Sequence, residues 1–225
     1  GYIKRMPIDE YKSQHRGGVG VIAHKTKEED FVEQIFVSST HDSLLCFSTN
    51  GRVYRIKGYE IPEAVKQSKG RAIINLLQLD QGERITTLIP MPKELNGNLI
   101  MATKNGLIKK TALAEFESIR KVGKIAIKLN DNDELISVFI SSGSDEVIMA
   151  SNQGKCIRFS EKDVRLMGRD TQGVKSMNLS DDDYVVDMSV VDPNKLMLTI
   201  SEYGYGKRTK PEEYKTQTRN GKGTK

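Results

Sequence analysis

The residues of this sequence that are placed to do chemistry are basic side chains and glycines, not nucleophiles or metal ligands. The segment Gln14-His15-Arg16-Gly17-Gly18-Val19-Gly20 sets three glycines beside an arginine. Backbone N–H groups of a glycine-rich turn can converge on an anion, and a guanidinium adds charge-assisted hydrogen bonds. On spacing alone, this glycine-rich box (residues 14–20) also fits a tight β-turn. It lacks the Lys-Ser/Thr ending and the following helix of a phosphate-binding P-loop.

Cysteine and histidine usage argues against several other kinds of site. Cys46 and Cys156 are the two cysteines, which excludes a disulfide scaffold and a cysteine-rich zinc site. His15, His24 and His41 lack metal-ligand spacing to acidic or cysteine partners. We therefore predict no metal site and no catalytic residue, and a reducing, cytosolic setting. No apolar run reaches about 18 residues, and no charged segment precedes an apolar stretch, so we predict neither a transmembrane helix nor a signal peptide.

The elements that must position these residues come from an internal repeat. A short motif that begins with glycine and carries basic residues starts near residues 1, 51, 106, 154 and 204 of the 225-residue chain. A second glycine follows each start after 17 to 19 residues. Self-similarity at a fixed period indicates a repeat architecture, in which each repeat buries its core against its neighbours. We expect one repeat domain over residues 1–225.

Each repeat carries the signals of four short strands. A brief apolar run, a turn with glycine and a second run together predict a hairpin, and two further runs follow in each repeat. The predicted strands are 43–47, 52–56, 72–77 and 85–89, with equivalents at 99–102, 125–129, 135–139, 146–150, 174–179, 184–188 and 195–200. Short helical turns or irregular arms are expected at 60–67, 112–118 and 161–167. The prediction is an all-β, propeller-like fold of four-stranded blades, with about four full blades and a partial fifth.

Basic residues are enriched in the same part of each repeat. The five segments 1–22, 51–72, 106–128, 154–175 and 204–225 hold 29 of the 35 Lys and Arg residues and 11 of the 30 acidic residues. Equivalent parts of stacked repeats face the same way, so these segments predict a basic band that follows a phosphate backbone. Base readout is not indicated, because no DNA-reading helix motif is present. Few aromatic residues lie in the basic segments, which favours duplex over single-stranded DNA.

The predicted contacts to the DNA backbone lie in these segments, and we expect about half of them to matter, because a lone Lys or Arg is commonly only solvated. They are Lys4, Arg5, Arg16, Arg52, Arg55, Lys69, Arg71, Lys109, Lys110, Arg120, Lys121, Lys124, Arg158, Arg165, Arg169, Lys207 and Arg208. Two other hypotheses stay open on the residues alone. One is a propeller that binds acidic proteins. The other, weaker, is a propeller enzyme with a site in a central channel.

The glycine-rich box resembles a motif of a known family. Five of its seven residues match the pattern Gln-(Lys/Arg)-Arg-Gly-Gly-(Lys/Arg)-Gly of the GyrA box, and the two departures are His15 and Val19. The likeness runs through the chain, including segments 27–32, 39–42, 51–55, 58–64, 75–77, 123–129, 167–173 and 204–209. The chain is identified as a member of the family of DNA gyrase A C-terminal domains, which belong to type IIA topoisomerases.

That resemblance implies a β-pinwheel, usually of six blades, whose strands are exchanged between neighbours. It implies that duplex DNA wraps with a fixed hand around a basic rim, which lets the whole enzyme introduce negative supercoils with ATP and Mg. The box is needed for wrapping. The domain itself would be monomeric and would carry no cofactor, no catalytic tyrosine and no membrane contact. The partners would be the rest of the gyrase A protein and the gyrase B protein, as an A2B2 heterotetramer in the bacterial cytoplasm, associated with the nucleoid.

His15 and Val19 replace two basic residues of the box. We therefore expect DNA binding there to be weaker, by about 1 kcal/mol or less for each exposed phosphate interaction that is missing. An alternative therefore stays open: the chain could be the related C-terminal domain of the topoisomerase IV A protein, which binds DNA with little wrapping.

Overall fold

A computed structural model of the chain describes residues 1–10 and 32–225, so the glycine-rich box 14–20 and its predicted contact Arg16 lie outside the described residues. The described residues form strands, 3-10 helices and turns and contain no α-helix, which confirms the all-β prediction. No helix among them is long and apolar enough to cross a membrane. The strands are β1 Tyr2–Ile3, β2 Ser43–Ser48, β3 Arg52–Lys57, β4 Arg71–Ala72, β5 Ile85–Pro90, β6 Asn98–Thr103, β7 Leu107–Ala112, β8 Lys124–Ile125, β9 Leu135–Ser141, β10 Glu146–Ser151, β11 Cys156–Ser160, β12 Val174–Lys175, β13 Val185–Val190, β14 Met197–Ile200 and β15 Gly206–Thr209.

The first two strands of a repeat form a hairpin, as the sequence predicts. β2 pairs with β3, β6 with β7, β10 with β11 and β14 with β15, all antiparallel. The turn glycines Gly51, Gly106, Gly154 and Gly204 have positive φ values between 73° and 81°, the left-handed region that glycine enters without a Cβ penalty. The alternation of apolar residues then places one face of each hairpin in a core.

The fourth strand of a repeat returns to the free edge of the first. β5 pairs with β2, β9 with β6 and β13 with β10. Each of these ladders has a register shift near its end, between Phe47 and Ser48 in the first. The predicted fourth strands at 85–89, 135–139 and 184–188 are thus present within a few residues.

The predicted third strand is wrong in length, while its pairing with a neighbouring repeat agrees with the strand exchange that the family resemblance implies. Only two residues after the second glycine are extended, as β4, β8 and β12, and in the first of these repeats the chain then turns into the 3-10 helix Ile73–Asn75. These strands pair with the preceding repeat: Tyr2 lies opposite Ala72, and Val174 opposite Ile108. The resulting sheet orders are β5-β2-β3-β8 and β12-β7-β6-β9. Each repeat therefore completes its predecessor's sheet.

This exchange also determines which strands make up a complete blade. Among the described residues two sheets have four strands, one has three strands, and two have two strands. The three-stranded sheet β11-β10-β13 is extended by an isolated bridge between Cys156 and Thr224. Both four-stranded sheets include a strand from the next repeat, β8 in one and β12 in the other.

Short 3-10 helices replace the predicted helical arms. They span Ile8–Glu10, Gly58–Glu60, Ile73–Asn75, Leu113–Phe116, Glu161–Asp163 and Pro211–Glu213. Four of them, beginning at 58, 113, 161 and 211, directly follow the second hairpin strand and lead into the segment that reaches the preceding repeat. We call these four the arm helices.

The chain divides into two compact units, each with its own core. The first comprises 1–48, 53–92 and 119–124, and the second 49–52, 93–118 and 125–225. In the first, Leu44, Cys46 and Ile56 surround buried Tyr54, whose hydroxyl donates to the Glu83 carboxylate at 2.9 Å. In the second, apolar residues of the third and fourth repeats share one cluster, from Ile100 to Met188.

Replacing Gly51 by alanine is predicted to be more damaging than the same change at Gly154. Both glycines lie in the turn of a hairpin, with φ values of 73° and 77°, so both substitutions carry the left-handed cost of about 1–2 kcal/mol. A Cβ on Gly51 would also lie 2.5 Å from the Ile127 carbonyl oxygen, whereas a Cβ on Gly154 meets nothing within 4 Å. We expect Gly51→Ala to lower the free energy of unfolding by about 1–3 kcal/mol more than Gly154→Ala, measured by urea denaturation. Equal losses would contradict the close packing between these repeats.

Candidate nucleic-acid interface

Four loops that follow the arm helices hold thirteen basic residues, eight of them exposed. We call these the arm loops and define them as residues 62–71, 117–124, 164–175 and 214–225. Their acidic residues are Glu63, Glu117 and Asp170. Their basic residues are Lys66, Lys69, Arg71, Arg120, Lys121, Lys124, Arg165, Arg169, Lys175, Lys215, Arg219, Lys222 and Lys225. Arg71, Arg120 and Arg165 are exposed, while Lys69 and Lys124 are half-buried. Exposed cations on backbone segments of one kind can make phosphate contacts without base readout.

A second class of basic residue binds protein backbone instead. These residues occupy the fifth position of the repeat motif, at Arg5, Lys110 and Arg158. Arg5 Nε donates to the Ile61 carbonyl at 2.8 Å, and Lys110 Nζ donates to the Glu161 carbonyl at 2.8 Å. Arg158 Nη1 donates to the Pro211 carbonyl at 2.5 Å. In all three cases the acceptor belongs to, or directly follows, the arm helix of the next repeat.

Acidic side chains reinforce these contacts. Arg5 pairs with Glu63 at 2.8 Å, Arg158 pairs with Glu146, and Lys110 lies 3.8 Å from the buried Glu161 carboxylate. The same three basic residues form parallel bridges through their backbones, for example Lys110 with Leu166. Charge-assisted hydrogen bonds of this kind are stronger than neutral ones, so these residues act as clips that hold each arm on the preceding repeat.

The fourth position of the motif is used in the same way in two repeats. Lys4 Nζ donates to the carbonyls of Val65, Lys66 and Ser68, at 2.5 to 3.1 Å. Lys109 is fully buried, and its Nζ donates to the carbonyls of Ala126, at 2.7 Å, and Arg169. Burial lowers the pKa of Lys4, and it lowers the pKa of Lys109 to about 8. A neutral amine still has two N–H groups, which are enough for the two carbonyls that Lys109 binds.

The structure therefore separates the seventeen sequence-predicted DNA contacts into groups. Lys4, Arg5, Lys109, Lys110 and Arg158 are occupied by backbone carbonyls, and Arg169 also bonds within the protein. Arg52 and Arg55 are half-buried and engaged in interactions of their own. The other eight residues of the described part lie on loops or on β15 and are exposed or partly exposed: Lys69, Arg71, Arg120, Lys121, Lys124, Arg165, Lys207 and Arg208. Arg16 lies outside the described residues, and these eight are candidates for nucleic-acid contact, five in the first compact unit and three in the second.

Lys121 is an arm-loop cation that is paired with an acidic side chain. Its Nζ binds the Glu60 carboxylate, whose other oxygen accepts the Lys57 backbone N–H at 2.8 Å. The hydrogen bond from Lys121 holds the pKa of Glu60 below its usual range, and the same bond raises the pKa of Lys121. A phosphate that approached Lys121 would compete with this carboxylate.

Sequence reasoning missed several basic residues of the last arm loops. Lys175, Lys215, Arg219, Lys222 and Lys225 were not among the predicted contacts, although all lie in arm loops. The signal that could have found Arg219 is the period itself, since it lies 50 residues after Arg169.

The described residues offer little else for chemistry. Within 1–10 and 32–225, no group of three or more His, Cys, Asp or Glu side chains could hold a metal ion. Burial raises the pKa of the Cys46 thiol to about 12, which makes this thiol a poor nucleophile at neutral pH.

Comparison with known proteins gives one consistent family. A family model described as the DNA gyrase C-terminal domain, beta-propeller, matches residues 1–39, 42–90, 97–142, 145–192 and 195–225. The chain is 49% identical to the DNA gyrase A protein of Escherichia coli K12 over 99% of its own length and 26% of that protein. It therefore spans about a quarter of the length of this curated relative.

Two solved structures agree along the whole chain. The crystal structure of the C-terminal domain of DNA topoisomerase IV superposes with a TM-score of 0.80 at 28% identity, covering 100% of this chain and 69% of that one. The structure of a DNA gyrase A C-terminal domain gives a TM-score of 0.75 at 33% identity, covering 100% and 73%.

Lys109 is predicted to make stability depend on alkaline pH. Its pKa is about 8 in the folded chain and about 10.5 when unfolded, so between these values the unfolded state binds more protons and stability rises with pH. From pH 8 to pH 10 the gain attributable to Lys109 is about 2 kcal/mol. We expect the free energy of unfolding of the wild type, minus that of Lys109→Met, to increase by that amount from pH 8 to pH 10. A difference that stays constant from pH 8 to pH 10 would show that Lys109 is not held in a desolvated site.

Proposed function

The chain belongs to the DNA gyrase C-terminal domain family, and we propose that it binds duplex DNA on its arm loops and wraps the duplex with a fixed hand. The family match and the likeness to the C-terminal domains of gyrase and topoisomerase IV support a DNA-binding role within a gyrase. The observation that carries the proposal is that every one of the four arm loops, which follow the arm helix in each repeat, carries at least one exposed basic residue.

Wrapping must offset the stiffness of DNA. With a persistence length of about 150 bp, bending a site of 20–30 bp through 40–90° costs about 1–6 kcal/mol. Many phosphate contacts, each weakened by salt, have to supply this energy. Repeated loops suit that task better than a single basic patch, because each repeat adds contacts at a new place along the backbone.

The residues we propose for backbone contact are Lys69, Arg71, Arg120, Lys121, Lys124, Arg165 and Lys222 of the arm loops, Lys207 and Arg208 on β15, and the glycine-rich box 14–20. We propose the clips Arg5, Lys110 and Arg158 as supports of the arms instead, because their nitrogens already donate to backbone carbonyls.

The role in the whole protein is also a proposal, since the chain matches about a quarter of its relatives' length. In it, the wrapped DNA is presented to the rest of the gyrase A protein and to the gyrase B protein in an A2B2 enzyme of the bacterial cytoplasm. That enzyme would introduce negative supercoils with ATP and Mg, using a tyrosine outside this chain. The domain alone would bend DNA without breaking it.

A second candidate is the topoisomerase IV type of domain, which would bind DNA and wrap it weakly. Two observations favour it: the higher TM-score of the topoisomerase IV domain, and the replacement of two bases of the box by His15 and Val19. Its function differs from the first candidate only in the linking-number change that the bound protein imposes.

The first experiment measures that change. Nicked circular plasmid is sealed with ligase in the presence of the chain, the protein is removed, and topoisomers are resolved on a gel. A shift in linking number that grows with protein concentration is the expected result. Retarded mobility without any shift would favour the topoisomerase IV type. No binding at low salt would contradict the DNA-binding proposal altogether and leave a protein-binding propeller.

A second experiment tests the arm loops. The triple variant Arg71→Gln, Arg120→Gln, Arg165→Gln removes three exposed loop charges, and the dependence of log K on log salt is expected to become shallower by about 0.9 for each phosphate interaction removed. The matched control Lys93→Gln, Lys104→Gln, Lys195→Gln removes three charges outside the arm loops and should leave the slope unchanged. If both variants shift the slope equally, binding is diffuse and the arm loops are not the interface.

A further inference from the structure

Two arginines repeat a contact with a period of 50 residues. Arg169 and Arg219 each lie four residues before the second glycine of their repeat, at Gly173 and Gly223. Arg169 Nη1 donates to the Ile125 carbonyl at 2.9 Å, and Arg219 Nη1 donates to the Lys175 carbonyl. Both acceptors lie two residues after the second glycine of the preceding repeat, so each guanidinium ties its own arm loop to the end of the previous one.

Further bonds fix both arginines in place. The backbone N–H of Arg169 donates to Glu115 Oε2 at 3.0 Å, and its carbonyl accepts from Lys109. Arg219 Nε donates to the Asp163 carbonyl at 3.2 Å, so its guanidinium binds two carbonyls of the neighbouring repeat at once. Beside it, the Asn220 N–H donates to the Ser176 carbonyl at 2.7 Å.

The same position in another loop is filled without any charge. Four residues before Gly123 stands Ile119, which is 2% exposed. A position whose task is to touch phosphate would not be served by a buried isoleucine. A position whose task is to anchor the loop can be filled by apolar packing or by a guanidinium bound to carbonyls.

We propose that Arg169 and Arg219 are positioning residues that set the spacing between successive arm loops, and that they are not phosphate contacts. This inference rests on the proposed DNA-wrapping function, because the spacing of the loops decides how the contacts follow a bent duplex. The rigid, planar guanidinium suits this task, since it holds two acceptors at a fixed separation, which a lysine ammonium on a flexible stem does less well.

The test compares Arg219→Gln and Arg219→Lys with Lys222→Gln, which removes an exposed charge of the same loop. Lys222→Gln should make the salt slope shallower by about 0.9. Arg219→Gln should leave the slope unchanged yet reduce the linking-number shift by about half, because the loops no longer hold the curvature. Arg219→Lys keeps the charge, but we expect it to show most of the loss of linking-number shift that Arg219→Gln shows. If Arg219→Gln lowers the slope as Lys222→Gln does, and Arg219→Lys restores both slope and shift, Arg219 is a phosphate contact and the proposal is overturned.

A measurement without DNA separates this proposal from the proposed function. Hydrogen exchange at the Asn220 amide reports whether the arm loop stays on the preceding repeat. Faster exchange in Arg219→Gln, with the Lys222→Gln control unchanged, supports the anchoring role even if the wild type binds no DNA. Unchanged exchange in Arg219→Gln overturns it, whatever the DNA assay shows.

Discussion

The structure depends on how the open edges of a hairpin are covered. A two-stranded hairpin leaves a row of unpaired N–H and C=O groups on each side and is marginal on its own. Here one edge is covered from within the repeat, as when β9 pairs with β6, and the other from the next repeat, as when β12 pairs with β7. The arm loops exist because the chain must cross to the preceding repeat to provide this strand. The candidate DNA surface is thus a consequence of how the sheets are completed.

The same crossing explains why basic residues recur for two different reasons. The arm helices present carbonyl groups to the preceding hairpin, and buried or half-buried carbonyls need donors. Arg5, Lys110 and Arg158 supply them, which uses positive charge inside the protein. Exposed arginines beyond the arm helices, such as Arg71, Arg120 and Arg165, are the ones we propose as phosphate contacts. A basic repeat of this kind therefore combines anchoring cations and ligand-binding cations within a few residues of each other.

Much of the fold could be predicted from the sequence, because hairpins and fourth strands depend on local apolar runs and turn glycines. The length and register of the third strand could not, since two residues of extended backbone leave no periodic signal and Val174 lies 66 residues after its partner Ile108. Charge counting found the basic segments but could not separate Lys110 from Arg120, because one side chain is buried against Glu161 and the other is exposed. That distinction is a property of packing, not of composition.

The most direct test of the division into anchoring and DNA-binding cations is amine reactivity, read by mass spectrometry with and without duplex DNA. Lys124, Lys207 and Lys222 should react in the free protein and become protected when DNA is bound, because they lie on the candidate surface. Lys109 and Lys110 should react slowly in both states, since they are buried against backbone carbonyls. Contradiction would come from DNA-dependent protection of Lys109 and Lys110, or from unchanged reactivity of Lys124, Lys207 and Lys222 when DNA binds.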